Sequence, residues 1–275
     1  LVGDAPRPEC PGEASLVQQV REIAEQVDWP CDVRKIYAEE NLGCARRISS
    51  GITAAFEEVE QLIVLEDDCV ADPSFFAFCS ELLGRYQADR RVTSISGTSF
   101  QQDIPRGDAS YYFSKYAHCW GWATWKRAWQ HFQLEMPGWP EFYNAGHLHS
   151  ICRNADEIAF WTKMFDRSYR GEVDSWAIPW AFCCWTQHGL NAIPATNLVS
   201  NIGFGNEATH TRDDRRNVAS MPTRALHVTK HPEFVVPDLR ADALTDDRVF
   251  TQSRRRKGLW RRITRSMPKL NRAAA

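Results

Sequence analysis

No stretch of this chain approaches the roughly 20 consecutive apolar residues that a membrane-spanning helix needs. CxxC pairs are also missing. The nine cysteines are scattered and odd in number, which argues against a disulfide framework and against a zinc ribbon, and a reducing compartment fits them best. No internal repeat and no low-complexity linker precedes the C-terminal tail. The tract "HLHSIC" offers His147, His149 and Cys152, yet no second cluster completes a metal set. Hydrophobic residues make up 43% and charged ones 25%, which excludes a disordered chain and leaves a globular one. At 275 residues the chain can bury one good core, and an α/β chain of that length need not be split.

Acids are absent from one segment. Residues 254–272 hold nine of the 33 Lys and Arg residues and no Asp or Glu, so 24 basic residues face 35 acidic ones elsewhere, a net −11. Trp260, Ile263, Met267 and Leu270 recur there at near-helical spacing. A basic amphipathic segment of this kind can lie on an anionic membrane surface. A solvated, disordered tail is the equal alternative. Nucleic acid is not an expected partner, because the acidic remainder would repel it.

What is present alternates. "LVGDA" reads as a strand, followed by a helix over 13–27 with Leu16, Val17, Val20, Ile23, Ala24 and Val27 on one side. Strand "DVRKIYA", helix "CARRISSGITAAFEEV", strand "LIVLE", a helix over 73–86 and strand "VTSISG" follow. Such alternation predicts a parallel sheet with helices on its faces. The opening already looks like a strand running into a turn, so an upstream strand and helix are expected to be missing. After Gly97 the regularity fades and tryptophans gather, from Trp120 through Trp139 to Trp185. This half reads as an elaboration on one edge of the sheet. Trp122, Trp125 and Trp129 fit one helical face, a pattern more often of core than of binding site. Indole faces also stack on pyranose rings, so some of these tryptophans are candidates to line a sugar site.

The densest chemistry lies in "QLIVLEDDCVADPSFF". The continuous apolar run 62–65 predicts a central strand buried on both faces. Asp72 and Pro73 read as a helix N-cap and first helical residue. Glu66, Asp67 and Asp68 are thereby placed at the carboxyl end of a strand, where open α/β sheets put their ligands. Adjacent carboxylates near a core repel and resist ionising unless a cation or hydrogen-bond donors compensate. A hard-cation site and an ordinary solvated strand end both remain open on these residues alone. In "GEVDSWAIPWAFCCWTQHG", Pro179 and Gly189 mark a helix start and end. Asp174 then sits on the entry loop, where Trp176 and other apolar neighbours would raise its pKa, as suits a general base or a buried structural acceptor. In "NLVSNIGFGNEATHT", Gly203 and Gly205 would let backbone approach an anion, with His210 as ligand or phosphate donor.

Together these segments resemble a family. "LEDD" followed by "DPSFF", the segment "CWGWATWKRAW", the aspartate in "DSW" and the loop "GFGNEATHT" occur in an order similar to that of GT-A glycosyltransferases. The nearest likeness is to the animal N-acetylglucosaminyltransferase family that initiates hybrid and complex N-glycans, and to its bacterial relatives. It covers about residues 1–211; the context "VDSWAIPW" departs from that family's paired acids between tryptophans. The resemblance implies a GT-A α/β fold, with a mostly parallel central sheet flanked by helices. It implies a transferase domain over 1–245, with a nucleotide half (1–100) and an acceptor half (101–245), before a basic tail (246–275). Asp68 would bind Mn²⁺ or Mg²⁺, Asp67 the ribose, Glu66 the strand end or nucleotide, and Asp4 the uracil of a UDP-sugar, with His210 near the donor. Asp174 would deprotonate the hydroxyl of a glycan or lipid-linked acceptor, with inversion. The expected location is cytoplasmic, with peripheral contact to the inner membrane face through 254–272. A sugar-nucleotide pyrophosphorylase and a non-catalytic carbohydrate-binding protein are the competing readings.

Overall fold

The structure, a computed structural model, describes residues 1–102, 104–204 and 218–251. His210, Gly205 and the basic stretch 254–272 lie outside the described residues. The chain runs β1 (Val2–Gly3), α1 (Glu13–Ala24), β2 (Ile36–Tyr37), α2 (Gly43–Glu58), β3 (Gln61–Val64), β4 (Cys69–Ala71), α3 (Ser74–Arg85) and β5 (Val92–Ser96). β6 (Tyr111–Ser114), β7 (Trp122–Trp125), α4 (Lys126–Trp129), α5 (Trp139–Asn144), α6 (Leu148–Ile151), α7 (Ala155–Tyr169) and α8 (Ala177–Thr186) follow. β8 (Leu190–Pro194), β9 (Val199–Asn201), α9 (Leu239–Thr245) and a π-helical turn (Asp246–Phe250) close it.

The central sheet has five strands in the order β3-β7-β5-β8-β6. It is mixed, not mostly parallel. Only β5 and β8 pair in parallel; β3–β7, β5–β7 and β6–β8 are antiparallel. The cause lies in the connections. β3, β5 and β8 share one direction, and each follows a helix of ten residues or more: α2, α3 and α8. β6 and β7 run the other way, and among the described residues no helix precedes either directly. A parallel return needs a crossover of a dozen or more residues, usually helical. The regular α/β alternation thus produced its parallel strands, and the irregular middle of the chain inserted β7 between two of them.

That insertion corrects three further expectations. β3 is the edge strand of this sheet, not a central one, and all four of its residues are half-buried. The second half of the chain is no elaboration on one edge, since it supplies β6, β7 and β8. The tryptophans at 122 and 125 lie on a strand, not on one helical face with Trp129. Three positions apart on a strand, side chains point to opposite faces. Trp122 accordingly packs with Trp129, Trp176 and Trp180, while Trp125 joins Phe75, Leu82 and Leu83 beneath α3. The same period-two rule splits β3: Leu62 and Val64 face the tryptophan cluster, Ile63 the α3 cluster.

Other boundaries moved by small amounts. α3 begins at Ser74 with Pro73 at its N-cap, one residue later than expected, and Asp72 Oδ1 accepts the Ser74 N–H at 2.9 Å. α8 begins two residues before Pro179 and ends at Thr186, and the left-handed residue behind it is His188 (φ 52°), not Gly189. α1 stops at Ala24, and its apolar side is only partly covered among the described residues: Val17 and Ala24 are half-buried, while Leu16, Val20 and Ile23 are each more than 60% exposed. The 245/246 point expected to begin a tail falls inside a continuous helical run. There Arg153 pairs with Asp246 at 2.9 Å, and Phe250 packs on Tyr116 and Trp161. No helix of the described residues is long and apolar enough to cross a membrane.

Candidate functional site

Glu66, Asp67 and Asp68 leave the carboxyl end of β3, beside the ends of the two strands that run with it or against it. Gly97, just past β5, donates its N–H to the carbonyl of Gly121, just before β7, at 2.7 Å. Gly121 has φ +63° and lies against Leu65 and Val199, so a side chain there would be both strained and crowded. β4 then pairs antiparallel with β9, Cys69 opposite Asn201. This pairing carries the glycine-bearing loop onto the acids: the Ile202 N–H donates to the Asp68 carbonyl at 2.9 Å. A Cβ on Gly203 would lie 2.1 Å from Asp68 Oδ2, so only glycine lets the loop cover that carboxylate.

Two more of the expected site carboxylates meet at one helix end. Asp4, just past β1, accepts the N–H groups of Ala5, Leu42 and Gly43 at 2.9–3.0 Å. Asp174 accepts those of Cys44 and Ala45 at 2.9 and 2.7 Å. The N–H groups opening α2, which no helical carbonyl can reach, are thus satisfied by acids 170 positions apart in the chain. Asp174 is held by polar backbone contacts in place of the apolar surroundings its sequence context suggested. Gly43 makes the approach feasible, with φ +74° and a would-be Cβ only 2.7 Å from Asp174 Oδ2.

The β3 acids and Asp174 act together on Cys44, and Trp176 hydrogen-bonds to Glu66. Burial first, and then the charges of Glu66, Asp174, Asp67 and Asp68, push the Cys44 thiol up to about 12. Burial is also the first cause that raises Glu66 to about 7; the charge of Asp68 adds to it, and a hydrogen bond with Trp176 opposes it. Among the described residues none of the three β3 acids forms an ion pair. Cys44 and Gly43 were missed in the sequence because nothing local connects α2 with residue 174. The one available signal was a glycine directly before a helix.

The donor set sets the kind of ion that fits. Among the described residues no three His, Cys, Asp or Glu side chains converge into a cage. Mg²⁺ and similar hard cations are often held by one or two carboxylates together with substrate phosphates. Asp68, half-buried, beside the exposed Asp67, suits that shared coordination and no self-sufficient one. His147 packs instead against Phe142, and Cys152 is buried in the aromatic core. No protein-family model and no curated protein matches this chain.

The shared helix end gives a stability test. Gly43→Ala should cost roughly 1–2 kcal/mol from the left-handed backbone alone, and more because Asp174 must move. Gly171→Ala is the control, with φ +70° but nothing within 4 Å of the new methyl. Urea unfolding should place Gly43→Ala clearly below Gly171→Ala; equal losses would mean that Asp174 does not hold α2.

Proposed function

We propose that this protein is a metal-dependent glycosyltransferase of GT-A type, moving a sugar from a nucleotide diphosphate donor, a UDP-sugar in the nearest resemblance, to a hydroxyl of a glycan or lipid-linked acceptor. The observation that carries the reading is the approach of Glu66, Asp67, Asp68 and Asp174 to one thiol, Cys44, at the helix end that Asp4 also caps. A solvated strand end has no need of such convergence. A divalent ion bound with the donor would neutralise the acids and the leaving diphosphate together.

In this reading Asp68 holds the ion, positioned by Gly203, and the exposed Asp67 meets the ribose. Asp4 already accepts three backbone N–H groups, so its work is to fix α2 beside the donor. Asp174, oriented by two N–H groups, takes the acceptor proton as the hydroxyl attacks the anomeric carbon, and a single displacement inverts the centre. One observation favours a second assignment of the base. Glu66, drawn to about 7, has the proton affinity that suits a base near neutrality. His210 and the surface contact through 254–272 fall outside the described residues and add nothing to the case.

A donor screen tests the whole reading. Thermal unfolding of the full chain with UDP-, GDP- and CMP-sugars should show stabilisation by one donor class that requires Mn²⁺ or Mg²⁺. Slow, metal-dependent hydrolysis of the same donor should accompany it. Binding of glycan alone, indifferent to metal and nucleotide, would instead mark a carbohydrate-binding protein.

A further inference from the structure

Away from the acids, a cleft of about 320 Å³ opens where the start of β5, α4 and the end of α8 meet. Its lining includes Arg90, Arg127, Gln130, His131, Trp180 and Gln187. Those side chains are rich in N–H donors, and no carboxylate lines the cleft. Arg127 is fixed in place. Its Nε donates to the Gln87 carbonyl at 2.8 Å, and its Nη2 to those of Tyr86 and Val92 at 2.8 and 3.0 Å. The guanidinium also lies over the Trp125 ring, 4.3 Å from its centre. Among the described residues its Nη1 has no acceptor.

Arg90 is exposed and forms no ion pair among the described residues, because the neighbouring Asp89 is engaged by Arg91 at 3.0 and 2.7 Å. Burial is the first cause that holds Arg127 below the ordinary guanidinium range; Asp89 opposes it, and the charge of Arg90 adds to it. Trp180 supplies a separate observation. It is 1% exposed, it lines the cleft, and its indole N–H is buried with no acceptor. A buried donor without a partner costs on the order of 1–3 kcal/mol, so its persistence calls for an explanation.

The geometry points to an oxyanion site in this cleft, built for the phosphate group of a small phosphorylated molecule. Arg127 offers its Nη1, held rigid by the bonds of Nε and Nη2, to the phosphate oxygens, and Arg90 borders the cleft from the exposed side. Gln187 and the hydrogen-bonded pair Gln130 and His131 border the same cleft, and Trp180 forms part of its wall. A volume of about 320 Å³ admits a phosphate with a small organic group, at the lower end of the size range of ligand sites. The inference does not rest on the transferase reading, because none of the acids placed at that site lines the cleft.

The test is calorimetric titration of the full chain with inorganic phosphate and with glucose 1-phosphate, in EDTA to silence any metal-held phosphate at the β3 acids. Both wild type and Arg90→Gln are titrated, and indole N–H resonances are followed in parallel. Saturable binding is expected, weakened about tenfold or more by Arg90→Gln, the scale of one charge-assisted hydrogen bond. One indole resonance should shift on binding, and it should be the one missing from Trp180→Phe. Uptake of phosphate but not of the ester would assign the site to the free anion; uptake of both would assign it to a phosphomonoester. Absence of saturable binding of either probe overturns the site. So does equal affinity in folded Arg90→Gln, or a shift confined to other indoles.

Discussion

Asp68→Asn is expected to abolish the metal-dependent part of UDP binding, a loss of at least about a hundredfold in affinity, while the protein stays folded. The amide keeps the volume that Gly203 accommodates and removes the charge that would hold the ion. Little else depends on the side chain: its one described partner is the Cys69 thiol at 3.5 Å, and the loop contact uses the Asp68 backbone carbonyl. Relief of repulsion should appear at Glu66. In the wild type its pKa is raised above the ordinary carboxylate value to about 7, first by burial and then by Asp68. Such a group binds more protons folded than unfolded between about 4.5 and 7, so its contribution to stability falls as pH rises through that window. Asp68→Asn should flatten this fall. The comparison is a set of urea melts at stepped pH, beside UDP titrations with Mn²⁺ and with EDTA. Folded mutant that still binds UDP in a Mn²⁺-dependent way would remove Asp68 from the metal.

Asp174→Asn is expected to lower turnover roughly a hundredfold or more with donor affinity little changed, as befits a group that acts in the transition state. Asn caps helices about as well as Asp, but its amide nitrogen cannot accept a hydrogen bond, so either Cys44 or Ala45 loses its partner. A stability loss of about 1 kcal/mol should accompany the kinetic one. The two effects separate with Glu66→Gln, which leaves α2 capped. If Asp174 is the base, Glu66→Gln keeps most of the turnover. If Glu66 is the base, Glu66→Gln is the more damaging change and removes the limb of the pH–rate profile near 7. A collapse of donor affinity in Asp174→Asn, in step with turnover, would leave Asp174 a purely structural cap.

Several features of this protein were legible one residue at a time. The alternation of apolar runs with helical stripes located α2, β3, α3 and β5 and placed three acids at the end of β3. Asp72 and Pro73 located the start of α3 to within one residue, because a cap acts within a few residues of itself. β3 and β5 also run the same way, as helix-linked strands should.

The tertiary structure decided everything that depends on who lies beside whom. Trp122 and Trp125 sit at a spacing that suits a helix, and only pairing with β3 and β5 made them a strand with its two indoles on opposite faces. That pairing made the sheet mixed and moved β3 to its edge. The amphipathic pattern of α1 described one apolar side but could not state that Leu16, Val20 and Ile23 on it stay exposed while Val17 and Ala24 are half-buried. Asp174 and Asp4 look unrelated in sequence, and their carboxylates meet only because α2 offers N–H groups that its own carbonyls cannot reach. Arg90, Arg127 and Trp180 likewise join one cleft from three segments. Periodicity and capping are local and are written in neighbouring residues; strand order and shared hydrogen-bond donors arise from contacts between residues tens to hundreds of positions apart, which no local pattern encodes.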